Sequence, residues 1–418
     1  MKILFASLHT KPGFELTDVL FANYLKKKID INFCAFSQKF YSKGGFYSYG
    51  NEFVNNEYFK KLNTKWMNYK EELKINILNH DVIIFSPIHG SREFVTFAKN
   101  HKKKVILLDS GFNYDFYPDN NADLIIFKGL NSMKVHFKHQ QKYKNKQNFF
   151  IESCLQSIFL NKRYIMSKKQ FLNKYKIKNK NYVLFLPTGP QYHDNKFKKK
   201  YKNICSFLIK KKFHLILKLH PSEYNKNKIT NNYNKNNSFS LFKNYTNLTV
   251  CKQKDFYSAV KYAKYVFSTH TTAYVEVNLL KKPIIFIDRL DFFGVRNEKF
   301  YKTRKKINIY NLIDKKIIKN KLIGNMDKEK GFKFFGQDIK YENLNLFLKK
   351  SYKVNKSLFN KKLIYNNRLY CKNFNLNFYE RISLHLYKYC KNVKLPSSKI
   401  SFFHLFYLKS CILLKKFI

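Results

Sequence analysis

The chain has 418 residues, and 44% of them are hydrophobic, which is enough for two ordinary domains with sizeable cores. Its 81 lysines and arginines outnumber 27 aspartates and glutamates, so the formal net charge is +54. The lysines are spread along the whole chain among many Asn, Ile, Phe and Tyr residues with AT-rich codons. This indicates codon bias and argues against a specific nucleic-acid site. Only a general attraction to anionic lipid or other polyanions follows from the charge.

The cysteines and the apolar runs further limit the classes of protein to which the chain can belong. The seven cysteines are scattered, odd in number and without a C-x-x-C pair, which argues against a disulfide scaffold and a zinc site. The first residues, MKILFASLH, have too short an apolar part for a signal peptide and predict a first strand instead. No stretch of about 18 apolar residues is present, so we expect no membrane-spanning helix. These features predict a cytoplasmic protein with no metal and no cofactor.

Short apolar runs alternate with helical patterns through the first part of the chain. The predicted strands lie at 2–6, 31–35, 81–86, 104–109 and 123–127. The predicted helices lie at 15–28, 58–79 and 92–101. This alternation is typical of a doubly wound parallel sheet with helices on both faces. The sequence therefore predicts a Rossmann-like domain over 1–162.

A second series of the same kind follows a predicted connecting helix at 163–177. Its predicted strands lie at 182–186, 214–218, 249–250, 265–268 and 283–288. Its predicted helices lie at 196–211, 255–263 and 272–280. This series predicts a second Rossmann-like domain over 178–330 that faces the first across a cleft.

The remaining residues, 331–418, predict a basic helical C-terminal extension, whose firmest helix covers 379–389. Residues 401–418, SFFHLFYLKSCILLKKFI, are apolar with three lysines and are too short to span a bilayer. They suit either an anionic membrane surface or packing against a domain, and the sequence leaves both open. The predicted fold class is therefore α/β, with two Rossmann-like doubly wound domains and a helical basic extension.

Two turns in the second domain contain the strongest chemical signal. One follows the strand at 214–218 and reads K-L-H-P, with Lys218 and His220. The other follows the strand at 265–268 and reads S-T-H-T-T. Ligands of open α/β sheets bind beyond the carboxyl ends of the strands. Hydroxyls and backbone N–H groups at a strand-to-helix turn favour an anion. We therefore expect these two turns to bind a phosphate.

With these motifs the chain resembles glycosyltransferases of the GT-B architecture. The shared features are two α/β halves, a strand that ends in K-L-H-P, a Ser/Thr turn that opens a helix containing an acid, and the run KKPIIFID. Within that group the chain resembles bacterial surface-polysaccharide enzymes, namely the capsule and CDP-glycerol glycerophosphotransferase type and the bacterial sialyltransferases. The resemblance is good over 180–290 and loose over 1–160.

The resemblance implies roles for individual residues. In those families the His of the H-P pair and the Ser/Thr pair bind the donor phosphate, which assigns this role to His220 and to four hydroxyl residues, Ser268, Thr269, Thr271 and Thr272. The D-Y-S-S of the CDP-glycerol enzymes is replaced here by T-H-T-T, so its aspartate is missing. The acidic-acidic-Gly motif of the sialyltransferases, which supplies their general base, matches Asp109 and Gly111 in D-S-G. The His-Gly turn of the glycerophosphotransferases instead matches His89 and Gly90. The two families therefore point to different general bases, and the sequence does not choose between them.

The residues themselves suggest the remaining parts of a transfer site. Cations and hydroxyls would have to stabilise the departing phosphate, since no D-x-D motif lies near the proposed site. Lys218 supplies a cation, and the turn at Thr188 and Gly189 allows close approach of a ligand. Glu276, four residues after Thr272, is placed for the ribose hydroxyls of a donor. Two residues after the first strand are candidates for contact with the acceptor: His9 and Gly13.

These observations predict a metal-independent glycosyl- or glycerophosphotransferase of surface-polysaccharide synthesis. Its catalytic candidates are Asp109, His89 and His220. Its predicted partners are a nucleotide-activated sugar or polyol donor and a saccharide or lipid-linked acceptor, at or near an anionic membrane surface. Two rivals stay open: a non-hydrolysing sugar-nucleotide epimerase of the same fold, which needs more acids than the sequence offers, and a non-enzymatic protein that binds RNA or anionic membrane.

Overall fold

Two parallel sheets organise the chain, each in a unit of its own. The first unit consists of Met1–Ile158 and Asn367–Ile418, and the second of Phe159–Asn366. The computed structural model describes residues 1–8, 12–37, 57–86, 91–109, 121–129, 133, 136, 148–152, 155, 158, 165–178, 181–187, 195–219, 245–252, 255–269, 273–282, 284–288, 336–349, 378–393 and 402–417.

The first sheet has seven parallel strands in the order β3-β2-β1-β4-β5-β6-β7. They are β1 (Ile3–Ser7), β2 (Asn32–Phe36), β3 (Lys65–Met67), β4 (Val82–Ser86), β5 (Lys104–Leu108), β6 (Leu124–Phe127) and β7 (Asn148–Ile151). The register places Phe5 of β1 between Phe33 of β2 and Ile84 of β4. The central strands are buried along nearly their whole length, because helices cover both faces of the sheet.

Four helices of this unit precede or follow these strands in the chain. They are α1 (Pro12–Lys26), α2 (Glu57–Lys61), α3 (Lys70–Leu78) and α4 (Ser91–Asn100). Side chains of α3 and α4, such as Leu73 and Val95, pack with alternate residues of the strands in one core cluster. The other strand face meets α1, where the ring of Phe21 lies 6.1 Å from that of Phe5.

The second sheet has six parallel strands in the order β10-β9-β8-β11-β12-β13. They are β8 (Tyr182–Leu186), β9 (His214–Leu217), β10 (Leu248–Val250), β11 (Tyr265–Ser268), β12 (Ile284–Ile287) and β13 (Gly336–Ile339). The helices of this unit are α5 (Lys168–Lys174), α6 (Asn195–Lys210), α7 (Phe256–Tyr262), α8 (Tyr274–Leu279) and α9 (Leu344–Lys349). Both sheets thus follow the doubly wound strand order, which reverses between β1 and β4 and between β8 and β11. The predicted fold class is confirmed.

Several predicted boundaries differ from the structure. The helix predicted over 58–79 is instead α2, the three-residue strand β3 and α3. Asn63 has a φ of 51°, a left-handed conformation that Asn tolerates, and the chain turns there before β3. The sequence also missed β7 and β13, which are four-residue strands at the sheet edges. Because β13 pairs with β12, the second sheet continues past residue 330.

The C-terminal helices belong to the first unit. Helix α10 (Phe378–Asn392) contacts α1, where the hydroxyl of Tyr379 donates to the carbonyl of Thr17 at 3.3 Å. Helix α11 (Phe402–Phe417) packs on α3. The segment predicted as an extension therefore contributes two packed helices to this unit. Among the described helices, none is both long and apolar enough to cross a membrane.

A buried carboxylate fastens α10 to the end of β7. Glu152 accepts a bond from Nε of Arg381 at 3.0 Å, and His385 Nε2 lies 3.3 Å from its other oxygen. The imidazole of His385 also stacks on the ring of Phe150, with 3.8 Å between the ring centres. The side chain of Glu152 is only 5% exposed, so its charge depends on these partners for compensation.

We predict that Arg381→Ala lowers the free energy of unfolding of the first unit by about 1–3 kcal/mol, because it removes the guanidinium from a buried carboxylate. The measurement is urea unfolding followed by the fluorescence of Trp66, the only tryptophan of the chain. The control is Glu380→Ala, which breaks a solvent-exposed pair with Lys28 and should cost less than about 1 kcal/mol. Equal losses in both variants would contradict the prediction.

A second prediction concerns His80, which is buried beside α3. Its Nδ1 donates to the carbonyl of Asn76 at 2.6 Å, and its Nε2 accepts from the amide of Asn32 at 2.9 Å, a pattern that suits the neutral ring. Burial lowers the pKa of His80 below its ordinary value. The unfolded chain therefore binds a proton that the folded chain excludes, and stability falls as the pH drops below about 6.5.

Replacing His80 by Gln should flatten this pH dependence. The urea midpoint reported by Trp66 should fall less between about pH 7 and pH 5 in the variant than in the wild type. An unchanged pH dependence would show that other groups cause the acid sensitivity of the first unit.

Candidate functional site

Three turns with predicted roles start from neighbouring strands at the carboxyl edge of the second sheet. Strand β8, which precedes Thr188 and Gly189, lies between β9 and β11, which precede the other two turns. Two strand spacings separate β9 from β11, which is about 10 Å. The strand order therefore brings the beginnings of all three turns to one place at the switch point of the sheet.

Hydrogen bonds of two buried hydroxyl groups stabilise this switch point. Ser268 and Leu186 are register partners on β11 and β8, and the hydroxyl of Ser268 donates to the carbonyl of Leu186 at 2.7 Å. The hydroxyl of Thr269 lies 3.4 Å from that of Tyr201 on α6. Both Ser268 and Thr269 are fully buried. These two predicted site residues therefore fix the start of the hydroxyl-rich turn from the inside of the fold.

Lys218 places a positive charge at the end of β9. Its Nζ donates to the carbonyl of Leu219 at 2.9 Å and lies 5.5 Å from the ring centre of Phe256, at the first residue of α7. Its side chain is largely buried, with the residue 9% exposed. Burial raises the pKa of nearby Cys251 to about 12, although the charge of Lys218 acts in the opposite direction. Cys251 is thus a neutral thiol.

Glu276 is held at the same edge by a tyrosine. It lies in the first turn of α8, and its Oε1 accepts a bond of 2.6 Å from the hydroxyl of Tyr257, in the first turn of α7. The carboxylate is half-buried. A carboxylate oxygen can accept more than one hydrogen bond, so this contact orients Glu276 and is compatible with a further donor such as a ribose hydroxyl.

In the first unit, Asp109 forms a buried ion pair. Its Oδ1 lies 3.3 Å from Nζ of Lys128, and its Oδ2 accepts from the backbone N–H of Lys128, also at 3.3 Å. Both side chains are nearly inaccessible, and they follow the neighbouring strands β5 and β6. Asp109 is therefore at the carboxyl edge as predicted from its position after a strand, but its two oxygens already have partners.

Most of the other predicted site residues lie outside the residues that the structure describes. The residues outside the described part of the chain are His9, His89, Thr188, Gly189, His220, Thr271 and Thr272. Gly13 is the second residue of α1. Their proposed roles stay predictions from the sequence.

A polar cluster that the sequence reasoning missed lies at the switch point of the first sheet. Asp18, in α1, accepts bonds from the hydroxyl of Ser7 at 2.6 Å and from that of Ser86 at 2.8 Å. All three residues are completely buried. Ser7 and Ser86 end β1 and β4, and the turns with His9 and His89 start directly after them. Asp18 therefore joins the ends of the two strands that lead to His9, a candidate for contact with the acceptor, and to His89, a candidate for the general base.

A signal for this cluster is present in the sequence. Each of the two apolar strand runs ends in a serine, and Asp18 stands in a helix beside the apolar residues Val19, Phe21 and Ala22. An acid on the buried side of a helix needs hydrogen-bond donors, and the strand-ending serines supply them. Only the pairing of β1 with β4 shows that these donors converge.

Other acids near the carboxyl edge of the second sheet form hydrogen bonds or ion pairs within the same unit. Asp255 accepts from the hydroxyl of Tyr175 and from Nζ of Lys174, and Asp288 accepts from Nζ of Lys200. Across the described ranges, no group of three or more His, Cys, Asp or Glu side chains is arranged to hold a metal ion.

Comparison with known proteins identifies the fold. No protein-family model and no curated protein matches the chain. Among solved structures, MnaA of S. aureus in a co-structure with UDP has a TM-score of 0.57 at 11% identity, over 96% of this chain and 100% of that one. A putative UDP-N-acetylglucosamine 2-epimerase from Listeria monocytogenes has a TM-score of 0.56 at 12% identity, with the same coverage.

The wall teichoic acid polymerase TagF, in a structure with CDPG, has a TM-score of 0.53 at 12% identity, over 93% of this chain and 89% of that one. At such identities the likeness concerns the fold. It extends over nearly the whole chain and includes both Rossmann-like units. The expected GT-B architecture is thereby confirmed.

The Asp18 cluster leads to a stability prediction. Asp18→Ala should lower the free energy of unfolding of the first unit by about 2–3 kcal/mol, because two buried serine hydroxyls lose their acceptor. Ser86→Ala should cost about 1–2 kcal/mol, since it removes one donor from the carboxylate. Urea unfolding followed by Trp66 fluorescence measures both. Thr96→Ala, which removes a partly exposed hydroxyl on α4, is the control and should stay within about 0.5 kcal/mol.

Proposed function

We propose that this protein is a metal-independent transferase that moves a sugar or a polyol phosphate from a nucleotide-activated donor to a saccharide or lipid-linked acceptor. The process would be surface-polysaccharide synthesis, of a capsule, lipopolysaccharide or teichoic-acid type, at the cytoplasmic face of the membrane. The observation that supports this best is the strand order β9-β8-β11, because the three strands that lead into the predicted ligand turns end side by side at one carboxyl edge. The GT-B architecture and neighbours solved with UDP and CDPG agree with a nucleotide donor.

The donor phosphates would bind beyond the ends of β9 and β11. His220 would donate a hydrogen bond to a phosphate oxygen, and the hydroxyls of Thr271 and Thr272 would bind the same group from the neighbouring turn. The buried charge of Lys218, one strand over from β8, makes the local potential positive and favours a departing phosphate. Glu276, oriented by Tyr257, would accept from the ribose hydroxyls of the donor.

On the acceptor side, a general base has to reach the acceptor hydroxyl. Asp109 is buried and already accepts bonds from Lys128 with both oxygens. We therefore prefer His89 as the base and keep Asp109 as the alternative. Asp18 would act indirectly, because it fixes the strand ends from which the turns with His9 and His89 start.

A thermal-shift panel with CMP-, CDP-, UDP- and GDP-linked donors tests the proposal. A donor that binds the folded protein raises its melting temperature by mass action, so one class should give a clear shift. Glu276→Gln and His220→Ala should each weaken the binding of that donor by about 10- to 100-fold, since the first neutralises the carboxylate proposed to accept from the ribose and the second removes a hydrogen-bond donor to the phosphate. Glu342→Gln, an exposed acid of the same unit, should bind the donor like the wild type.

A turnover assay without acceptor and an RNA-binding assay separate the rival functions. If the stabilising donor is converted without any acceptor present, the protein is an epimerase and not a transferase. If no donor stabilises it, while RNA binds with a steep dependence on salt, the protein binds polyanions instead. Donor binding that survives in both the His220→Ala and Glu276→Gln proteins would refute the proposed site.

A further inference from the structure

Helix α11 presents apolar side chains on two opposite sides. Leu408 is buried where the helix packs on α3, with an exposure of 4%. Phe406 and Leu413 point away from the unit and are 62% and 55% exposed. These two residues are seven apart, and Lys409 lies between them at helical spacing, so all three share one side of the helix. We call this side the outer face of α11.

We propose that the outer face of α11 docks on an anionic lipid bilayer, with Phe406 and Leu413 entering the boundary between headgroups and acyl chains. Helices that lie in this interface bury an apolar face about 5–10 Å deep and place lysines at the headgroups. Exposed apolar patches that are rimmed by polar residues mark interaction sites, which include contacts with membranes. This inference stands apart from the proposed transfer site.

The positive charge of the C-terminal segment favours an anionic membrane as the partner of the outer face of α11. From residue 382 to residue 418 the sequence contains seven lysines and no aspartate or glutamate. An anionic membrane attracts such a segment, and each lysine near its surface strengthens binding about fivefold. Nucleic acid offers the charge but no apolar interior for Phe406 and Leu413. A symmetric dimer through this face would set the same basic segment opposite itself, where like charges repel.

Co-sedimentation of the full chain with vesicles tests the proposal. Vesicles of phosphatidylcholine with phosphatidylglycerol should bind the wild type, and vesicles of phosphatidylcholine alone should bind it much more weakly. Phe406→Ser combined with Leu413→Ser should lower the partition coefficient on the anionic vesicles by at least about tenfold. Lys409→Gln should lower it about fivefold. Urea unfolding followed by Trp66 fluorescence checks that both proteins remain folded.

The matched control is Leu346→Ser, which removes a leucine of the second unit that is 50% exposed. It should bind vesicles like the wild type. Equal binding of the wild type and the Phe406→Ser/Leu413→Ser protein would overturn the proposal, since the lipid contact would then rest on general charge alone. A dimer in solution that the double substitution converts to monomers would also overturn it. The donor-induced thermal shift should be the same in all of these variants, so this test and that of the proposed function fail independently.

Discussion

Parallel strands all end at the same edge of their sheet, and this constraint determines where polar chemistry can gather in this protein. In both sheets the strand order reverses once, between β1 and β4 and between β8 and β11. The connections leave in opposite directions at that point, which opens a space for ligands beyond the strand ends. The Asp18 cluster lies at the first reversal, and the strands that lead into the predicted phosphate turns end at or beside the second.

The polar groups at the reversals are buried and bonded, which makes them rigid supports. Ser268 bonds the carbonyl of Leu186 across β11 and β8, and Asp18 bonds serines at the ends of β1 and β4. An unsatisfied polar group at such a depth would be costly, so these bonds must form whenever the unit folds. They hold the strand ends in register and thereby set the starting points of the turns that follow. The proposed transfer reaction would benefit from such rigidity, because hydrogen-bond donors have to be in place before charge develops on the departing phosphate.

The C-terminal helices combine packing within the first unit with the surface proposed to contact lipid. Helix α10 compensates the buried charge of Glu152 and packs Tyr379 against Phe21, so it contributes to the core of the first unit. Helix α11 uses one side for packing on α3 and leaves apolar side chains on the other. The high lysine content alone would predict only weak attraction to any polyanion. Its combination with exposed Phe406 and Leu413 favours a membrane surface over nucleic acid.

The amino-acid sequence alone was sufficient to identify the doubly wound α/β class, because buried parallel strands appear as continuous apolar runs such as VIIFS and YVLFL. It also located the turns of interest, because K-L-H-P and S-T-H-T-T interrupt those runs. It missed β3, β7 and β13, since strands of three or four residues such as K-W-M at a sheet edge lack a distinctive period. Which polar residues meet depends on the three-dimensional fold. The partners of Asp18 are 11 and 68 residues away in sequence, and those of Glu152 are 229 and 233 residues away. Sequence periodicity describes local geometry, whereas these contacts depend on strand pairing and helix packing, which no local pattern encodes.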